Sequence, residues 1–295
     1  LKGEKRIGFM TGEIHQFSFM NDVFAKESEL YVIPSERGKM GGLFMMKKFI
    51  KYIVFICLAS FSYLTFADNH MPKTYAMEGY QCDFADGKGL NDVLRVASKW
   101  DKWSDTNYSV PYAAWVMVPF YQTKTDFGFD LAWLGVSDSW QELGQAQDEW
   151  MEKGQRLQAE FDSVSPCDSH VAYWVWTMRE AEETNPKGYL SVRGCNNNET
   201  TTLEQINAAS AIRNEYFDSL GMDSAIYAWF PGAGSPLENK YDYLEVWANS
   251  SMKEWGIVPD AWLSGNPDPS GLSDLRECDT PRVYYSQYVG GKTAE

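Results

Sequence analysis

Glu78, Arg193 and Glu245 are the ionisable residues of this 295-residue chain best placed to act on a small molecule. Each sits in an alternating stretch that reads as a β-strand, where successive side chains point to opposite faces. Counting alternate positions puts Glu78 and Tyr80 on one face with Ser191 and Arg193. The same count adds Trp115, Met117, Phe129, Leu131 and Trp133, and Tyr227, Trp229, Tyr241, Tyr243, Glu245 and Trp247. A face of rings that only packed sheet on sheet would avoid ionisable groups, because an unpaired buried charge is costly. The face therefore reads as a salt bridge within a packed interface, or as a pocket with polar ends. In the pocket reading Glu78, Tyr80, Trp115, Trp133, Arg193, Tyr227, Trp229, Tyr243 and Glu245 bind the ligand. The rings form the walls, and Arg193, Glu78 and Glu245 orient the molecule. A carboxylate there could also serve as a general base, its pKa raised by the apolar walls. The opposite face, with Val116, Val118, Ala132, Leu134, Ile226, Ala228, Phe230, Leu244 and Val246, is expected to pack on helices.

Other chemistry finds little support. His170 stands at the start of a strand without a second histidine at metal-ligand spacing, so it reads as structural or solvated, and no metal site is expected. There is no G-x-S-x-G, H-E-x-x-H, P-loop or dinucleotide fingerprint, and no cofactor is called for. The net charge of −15 argues against nucleic acid or anionic lipid as a partner, since both demand a basic face. Aromatic residues make up 15% of the chain, more than a core of this size requires, which again points to rings lining a cleft or an interface.

The elements that must carry these residues follow from periodicity and capping. Tyr75 to Cys82 reads as a strand. Leu90, Val93, Leu94 and Ala97 then fall at helical spacing behind Asn91, a good cap residue. Strands follow over 112–121 and 127–135. Ser139 and Glu142 form a capping box for a helix running to about Phe161, and 170–178 is a last strand. A second series follows: strand 188–195, a helix from Thr202 (boxed by Gln205) to Leu220, strands 224–231 and 241–247, a Ser251/Glu254 box, and strand 282–289. Pro259 is expected to interrupt the second helix of this series, and 266–271 cannot continue it.

The two series are related by an offset of 112. Tyr112–Trp150 aligns with Ser224–Trp262 without a gap and with eight identities in 39 positions, among them Pro119/Pro231, Gly144/Gly256 and Trp150/Trp262. The sequence thus predicts an α+β fold of two tandem βαββαβ units, 68–182 and 183–295, each a ferredoxin-like split βαβ motif. In that motif the last strand lies antiparallel beside the first. Four cysteines without a C-x-x-C pair read as disulfides, and the repeat selects Cys82 with Cys167 and Cys195 with Cys278 from the three pairings possible.

A tandem pair of such units, with antiparallel sheets facing each other, resembles the dimeric α/β-barrel superfamily. That superfamily includes cofactor-free monooxygenases, isomerases and haem-binding members. The resemblance covers 75–289 and rests on element order, with no signature motif, so it carries over no catalytic residue.

From Met46, a Met-Lys-Lys start, an apolar stretch from Phe49 to Phe66 and Ala67-Asp68 have the order of a secretory signal cleaved after Ala67. Residues 46–67 are therefore expected to leave, Cys57 among them, without a lasting membrane anchor. Residues 1–45 read as upstream sequence mistranslated ahead of the start. The remainder is more acidic still, with 17 basic against 35 acidic groups, and would work in the periplasm or outside the cell. Three functions suit this sequence: an exported protein binding an aromatic or apolar small molecule, a cofactor-free oxygenase or isomerase, or an assembly module with no ligand. The oligomeric state is open.

Overall fold

A computed structural model describes residues 73–123 and 128–292. The expected extension and signal peptide lie outside the described residues.

Nine strands and seven helices make up this part of the chain. Strand β1 (Thr74–Cys82) leads to α1 (Leu90–Asn107), then β2 (Tyr112–Tyr121) and β3 (Leu131–Ser137). Helices α2 (Trp140–Lys153) and α3 (Gln155–Asp162) precede β4 (Cys167–Arg179). The second half runs β5 (Lys187–Asn197), α4 (Leu203–Ser219), β6 (Ala225–Pro231) and β7 (Tyr243–Asn249). Three short helices follow, α5 (Met252–Trp255), α6 (Ile257–Leu263) and α7 (Leu272–Leu275), before β8 (Arg276–Cys278) and β9 (Arg282–Lys292).

Every strand pairing is antiparallel. Within the first half the order is β4-β1-β3-β2, and within the second β9-β5-β7-β6. Each half alone would leave two raw edges with unpaired N–H and C=O groups. Instead β2 pairs with β9 and β4 with β6, which closes an eight-stranded barrel with no free edge around the ring. The long strands make this possible. β4 uses Thr74-to-Cys82 partners along its first ten residues and offers Tyr173–Arg179 to β6 at its far end.

Helix α1 forms because Val93, Val96, Ala97, Trp100 and Ser104 recur on one buried stripe. Its N-cap is Gly89, not Asn91: Asp92 accepts the Gly89 N–H at 3.2 Å, satisfying an otherwise orphaned donor two residues earlier than expected. The other three cap residues, Ser139, Thr202 and Ser251, stand where the sequence places them, each accepting the N–H of the residue three further on. The helix expected to run from 140 to 161 breaks at Gly154 into α2 and α3. In the second half the break falls at Gly256 and not at Pro259. Pro259 sits in the first turn of α6, where its missing N–H is no loss.

The two cysteine pairs join as the repeat indicates, Cys82 to Cys167 across β1/β4 and Cys195 to Cys278 across β5/β8. Two disulfides suit an oxidising compartment outside the cytoplasm. Among the described residues no helix is long and apolar enough to cross a membrane.

The core has two layers. Met77, Met117, Ala132, Leu134, Val175, Val192, Trp229, Val246 and Tyr284 fill the barrel. Outside it, the helices of the first half cover Ala76, Cys82, Tyr112, Ala114, Val116 and Leu131, and α4 of the second half covers Ile226.

Candidate functional site

The register of the sheet decides which side chains can meet, and it corrects the single face read from alternation. Trp115 pairs with Leu134 and Val116 with Trp133; likewise Trp229 pairs with Leu244 and Ala228 with Glu245. Directly paired residues share a face. Odd positions of β2 and β6 therefore point into the barrel, whereas odd positions of β3 and β7 point out toward the helices. Trp115, Met117, Tyr227 and Trp229 are barrel residues. Glu78, Tyr80, Leu131 and Trp133 lie under the helices of the first half, and Arg193, Tyr243, Glu245 and Trp247 lie on the helix side of the second. The set expected to cover the helices splits in the same way: Ala132, Leu134, Leu244 and Val246 fill the barrel, while Val116 and Ile226 stay outside.

Three cavities follow from this division. One of about 540 Å³ is lined by barrel residues, including Tyr75, Met77, Trp115, Tyr227 and Trp229, and by the 183–187 connection. One of about 480 Å³ lies in the second half beside Arg193 and Trp247. The third, of about 300 Å³, lies in the first half beside Glu78, Tyr80 and Trp133.

The first-half cleft is built around Glu78, which is only 2% exposed. Its carboxylate accepts hydrogen bonds from the Tyr112 hydroxyl at 2.6 Å and the Gln147 amide at 2.6 Å, and it lies 2.7 Å from His170 Nε2. Tyr80 donates more weakly, at 3.4 Å. Tyr112 can reach in because Glu78 faces Gly135 across β1/β3, and a Cβ on Gly135 would overlap the tyrosine hydroxyl. His170 stacks on Tyr80, ring centroids 3.8 Å apart, with its own side chain 46% exposed at the mouth. Among the described residues nothing bonds to its Nδ1. Trp100, Tyr108, Trp133, Trp150 and Phe161 form the walls. Burial raises the pKa values of Tyr112, Tyr80 and Tyr108, and the nearby Glu78 charge raises them further, so all three stay protonated donors.

Comparison with the other buried carboxylates separates Glu78 from structural groups. Glu149 accepts the Ser109 N–H at 2.8 Å, and Glu254 accepts the N–H groups of Asp223 and Ser250. Both pin loop backbone. Glu245, 1% exposed, is held by Arg193 (Nε at 3.0 Å), by Arg213 Nη1 at 2.6 Å and by Arg276, with the Trp247 indole N–H at 2.9 Å. Burial alone would raise its pKa, but the three guanidiniums outweigh that and hold the carboxyl well below the usual range. Glu245 is a structural anion. Glu78 alone among the four is served only by side chains while lining a cavity, and no Lys or Arg among the described residues pairs with it.

The sequence reads His170 as structural or solvated, where it bonds Glu78, and it does not single out Gln147 and Tyr112 in the first half or Arg213 and Arg276 in the second. Two signals were present. The Cys82–Cys167 link itself fixes β1 against β4, which brings His170 opposite Tyr80. Arg213 follows Ile206 and Ala209 and precedes Phe217 on the buried stripe of α4, where an arginine needs a partner. Among the described residues no cluster of three or more His, Cys, Asp or Glu side chains could hold a metal ion.

No protein-family model matches the chain, and no curated protein matches it in sequence. Among solved structures it is similar to a mutant chlorite dismutase from Candidatus Nitrospira defluvii, with TM-score 0.45 and 8% identity over 73% of this chain and 92% of that one. It is also similar to a dye-decolorizing peroxidase from Bacteroides thetaiotaomicron, with TM-score 0.44 and 10% identity over 74% and 94%. A third similarity is to an anthrone oxidase-like protein, with TM-score 0.44 and 10% identity over 75% and 95%.

Proposed function

We propose that this is an exported protein that binds a small, flat organic molecule carrying a hydrogen-bond donor, in the first-half cleft between sheet and helices. The observation that carries the reading is Glu78: a buried carboxylate without a lysine or arginine partner among the described residues, at the wall of an aromatic cleft. A fixed acceptor among rings selects a donor on an apolar molecule, and a site built to hydrogen-bond a hydroxyl rejects the analogue lacking it. Cleavage after Ala67 and descent of both halves from one duplicated unit belong to the same proposal; the paired cysteines and the 112-residue offset support them.

Calorimetric titration of the purified protein with 2-naphthol and with 2-methoxynaphthalene tests this. The hydroxyl compound should bind, and the ether should bind at least about tenfold more weakly, a difference that Glu78→Gln reduces. Equal affinities, or binding of neither, would contradict the proposal.

His170 favours a second reading, a cofactor-free oxygenase or isomerase. With Glu78 ionised, the imidazole Nε2 must carry the hydrogen it shares, which leaves the Nδ1 lone pair facing outward. His170 could then take a proton from a bound substrate at Nδ1 while Glu78 compensates the imidazolium charge. In this reading His170→Asn keeps 2-naphthol binding and abolishes any turnover; loss of binding with turnover intact would sink it.

A further inference from the structure

Around Glu245 the second half gathers more positive charge than that one carboxylate offsets. Three guanidiniums, Arg193, Arg213 and Arg276, surround the single carboxylate of Glu245. Arg213 and Arg276 are almost wholly buried, and Nε and Nη2 of Arg213 have no hydrogen-bond partner; neither does Ser210 Oγ, one turn earlier on α4. Tyr243 accepts from Arg276 but stays neutral, because burial raises its pKa. Asp279 is spent on Arg282 and the Gly194 N–H, and Asp268 caps the Ser270 N–H. Desolvated guanidiniums in excess of carboxylates are costly unless an anion joins them.

The cavity of about 480 Å³ gives such an anion a place. Arg193 and Arg276 line it, with Asp268 the acidic residue of its wall. Trp247, Trp255 and Trp262 line it too, and Arg193 stacks over the Trp247 ring at 5.2 Å. Trp262 is 65% exposed, a large ring left at the rim. Two arginines beside three indoles, with the third guanidinium of the cluster behind them, are suited to a planar carboxylate on an aromatic ring. We propose that this cavity is a second ligand site, distinct from the Glu78 cleft, that takes a small aromatic carboxylate.

Titration calorimetry with 2-naphthoate and the neutral 2-naphthamide tests it on the purified protein, with circular dichroism reporting folding of each variant. The carboxylate should bind at least about tenfold more tightly than the amide. Arg193→Gln and Trp262→Ala should each weaken naphthoate by about tenfold or more, while Glu78→Gln leaves its affinity unchanged. Should Arg193→Gln fail to fold, Trp262→Ala carries the test, since an exposed rim residue can be removed without opening the core. Equal affinity for acid and amide, no binding of either, or loss of naphthoate binding in Glu78→Gln alone would overturn the proposal.

Discussion

The two halves of the barrel use the same niche between sheet and helices in opposite ways. In the first, β1 and β3 set Glu78 against Gly135 and Tyr80 against Trp133; at the positions about 112 residues later, β5 and β7 set Ser191 against Trp247 and Arg193 against Glu245. The helix above follows suit, with Trp100 packed edge-on to Trp133 in one half and Arg213 bonded to Glu245 in the other. Where the first half sets a cross-strand aromatic pair under a tryptophan, the second sets an ion pair under an arginine. The carboxylate stands on the first strand of one series and on the third strand of the other. What surrounds it then fixes its role. Three guanidiniums make Glu245 an anion of the framework, whereas Glu78 is met by hydroxyl, amide and imidazole, the partners that the proposed function has it exchange with a ligand.

The largest expected effect lies in the second half. Removing the carboxylate in Glu245→Ala strands three guanidiniums and should cost roughly 3 to 5 kcal/mol, read as a fall in the denaturation midpoint. A change within experimental error would show that the arginines find water or another anion, and would erase the contrast.

Next in size is the first disulfide. Cys82 and Cys167 close a loop of 85 residues and tie the strand bearing Glu78 to the strand bearing His170. Replacing both by serine should cost about 2 to 5 kcal/mol and weaken 2-naphthol binding more than 2-naphthoate binding. The reverse order of ligand effects would mean that the clefts are not independent.

Acid sharpens the comparison further. The folded-state pKa of Glu245 lies below its ordinary 4.5, so the stability it supplies is complete above about pH 4.5 and is lost as the pH falls through the lower folded value. Urea midpoints should therefore drop on acidification below pH 4.5, and Glu245→Ala should flatten that limb. A limb equally steep in the variant would place the acid sensitivity elsewhere, Glu149, Glu160, Asp279 and Glu254 being the other carboxylates held low by their hydrogen-bond partners.

Much of this architecture could be read from residues alone. The N-caps at Ser139, Thr202 and Ser251, of which Thr202 closes a full box with Gln205, and the alternation of β2, whose bounds fall where expected, fix the order of elements. Element order then brings the cysteines together. Cross-strand parity was not legible. Alternation says that Trp115 and Trp133 each keep one face, but only the β2/β3 register, Trp115 to Leu134, shows that the faces differ. A shift of one residue in an unseen turn exchanges inside for outside, so the rings and the ionisable groups were gathered onto one surface when the fold divides them among three cavities. Arg193 does pair with Glu245, but on the helix side and not between two sheets, and two further arginines come from α4 and β8, elements whose contacts no strand count can supply.

The smallest expected effect on the list of stabilities is also the most informative. Glu78→Gln keeps the shape and an acceptor for Tyr112, so it should shift stability by about 1 kcal/mol, far less than Glu245→Ala. Its consequence should be felt in binding. Measuring the unfolding free energy and the 2-naphthol affinity of Glu78→Gln and Glu245→Gln side by side tests the division of labour directly. The account predicts near-normal stability with at least about tenfold weaker binding for Glu78→Gln, and lowered stability with unchanged 2-naphthol affinity for Glu245→Gln while it stays folded. A Glu78→Gln variant that loses stability heavily and binds 2-naphthol as tightly as the parent would make Glu78 a framework carboxylate like Glu245 and contradict the account.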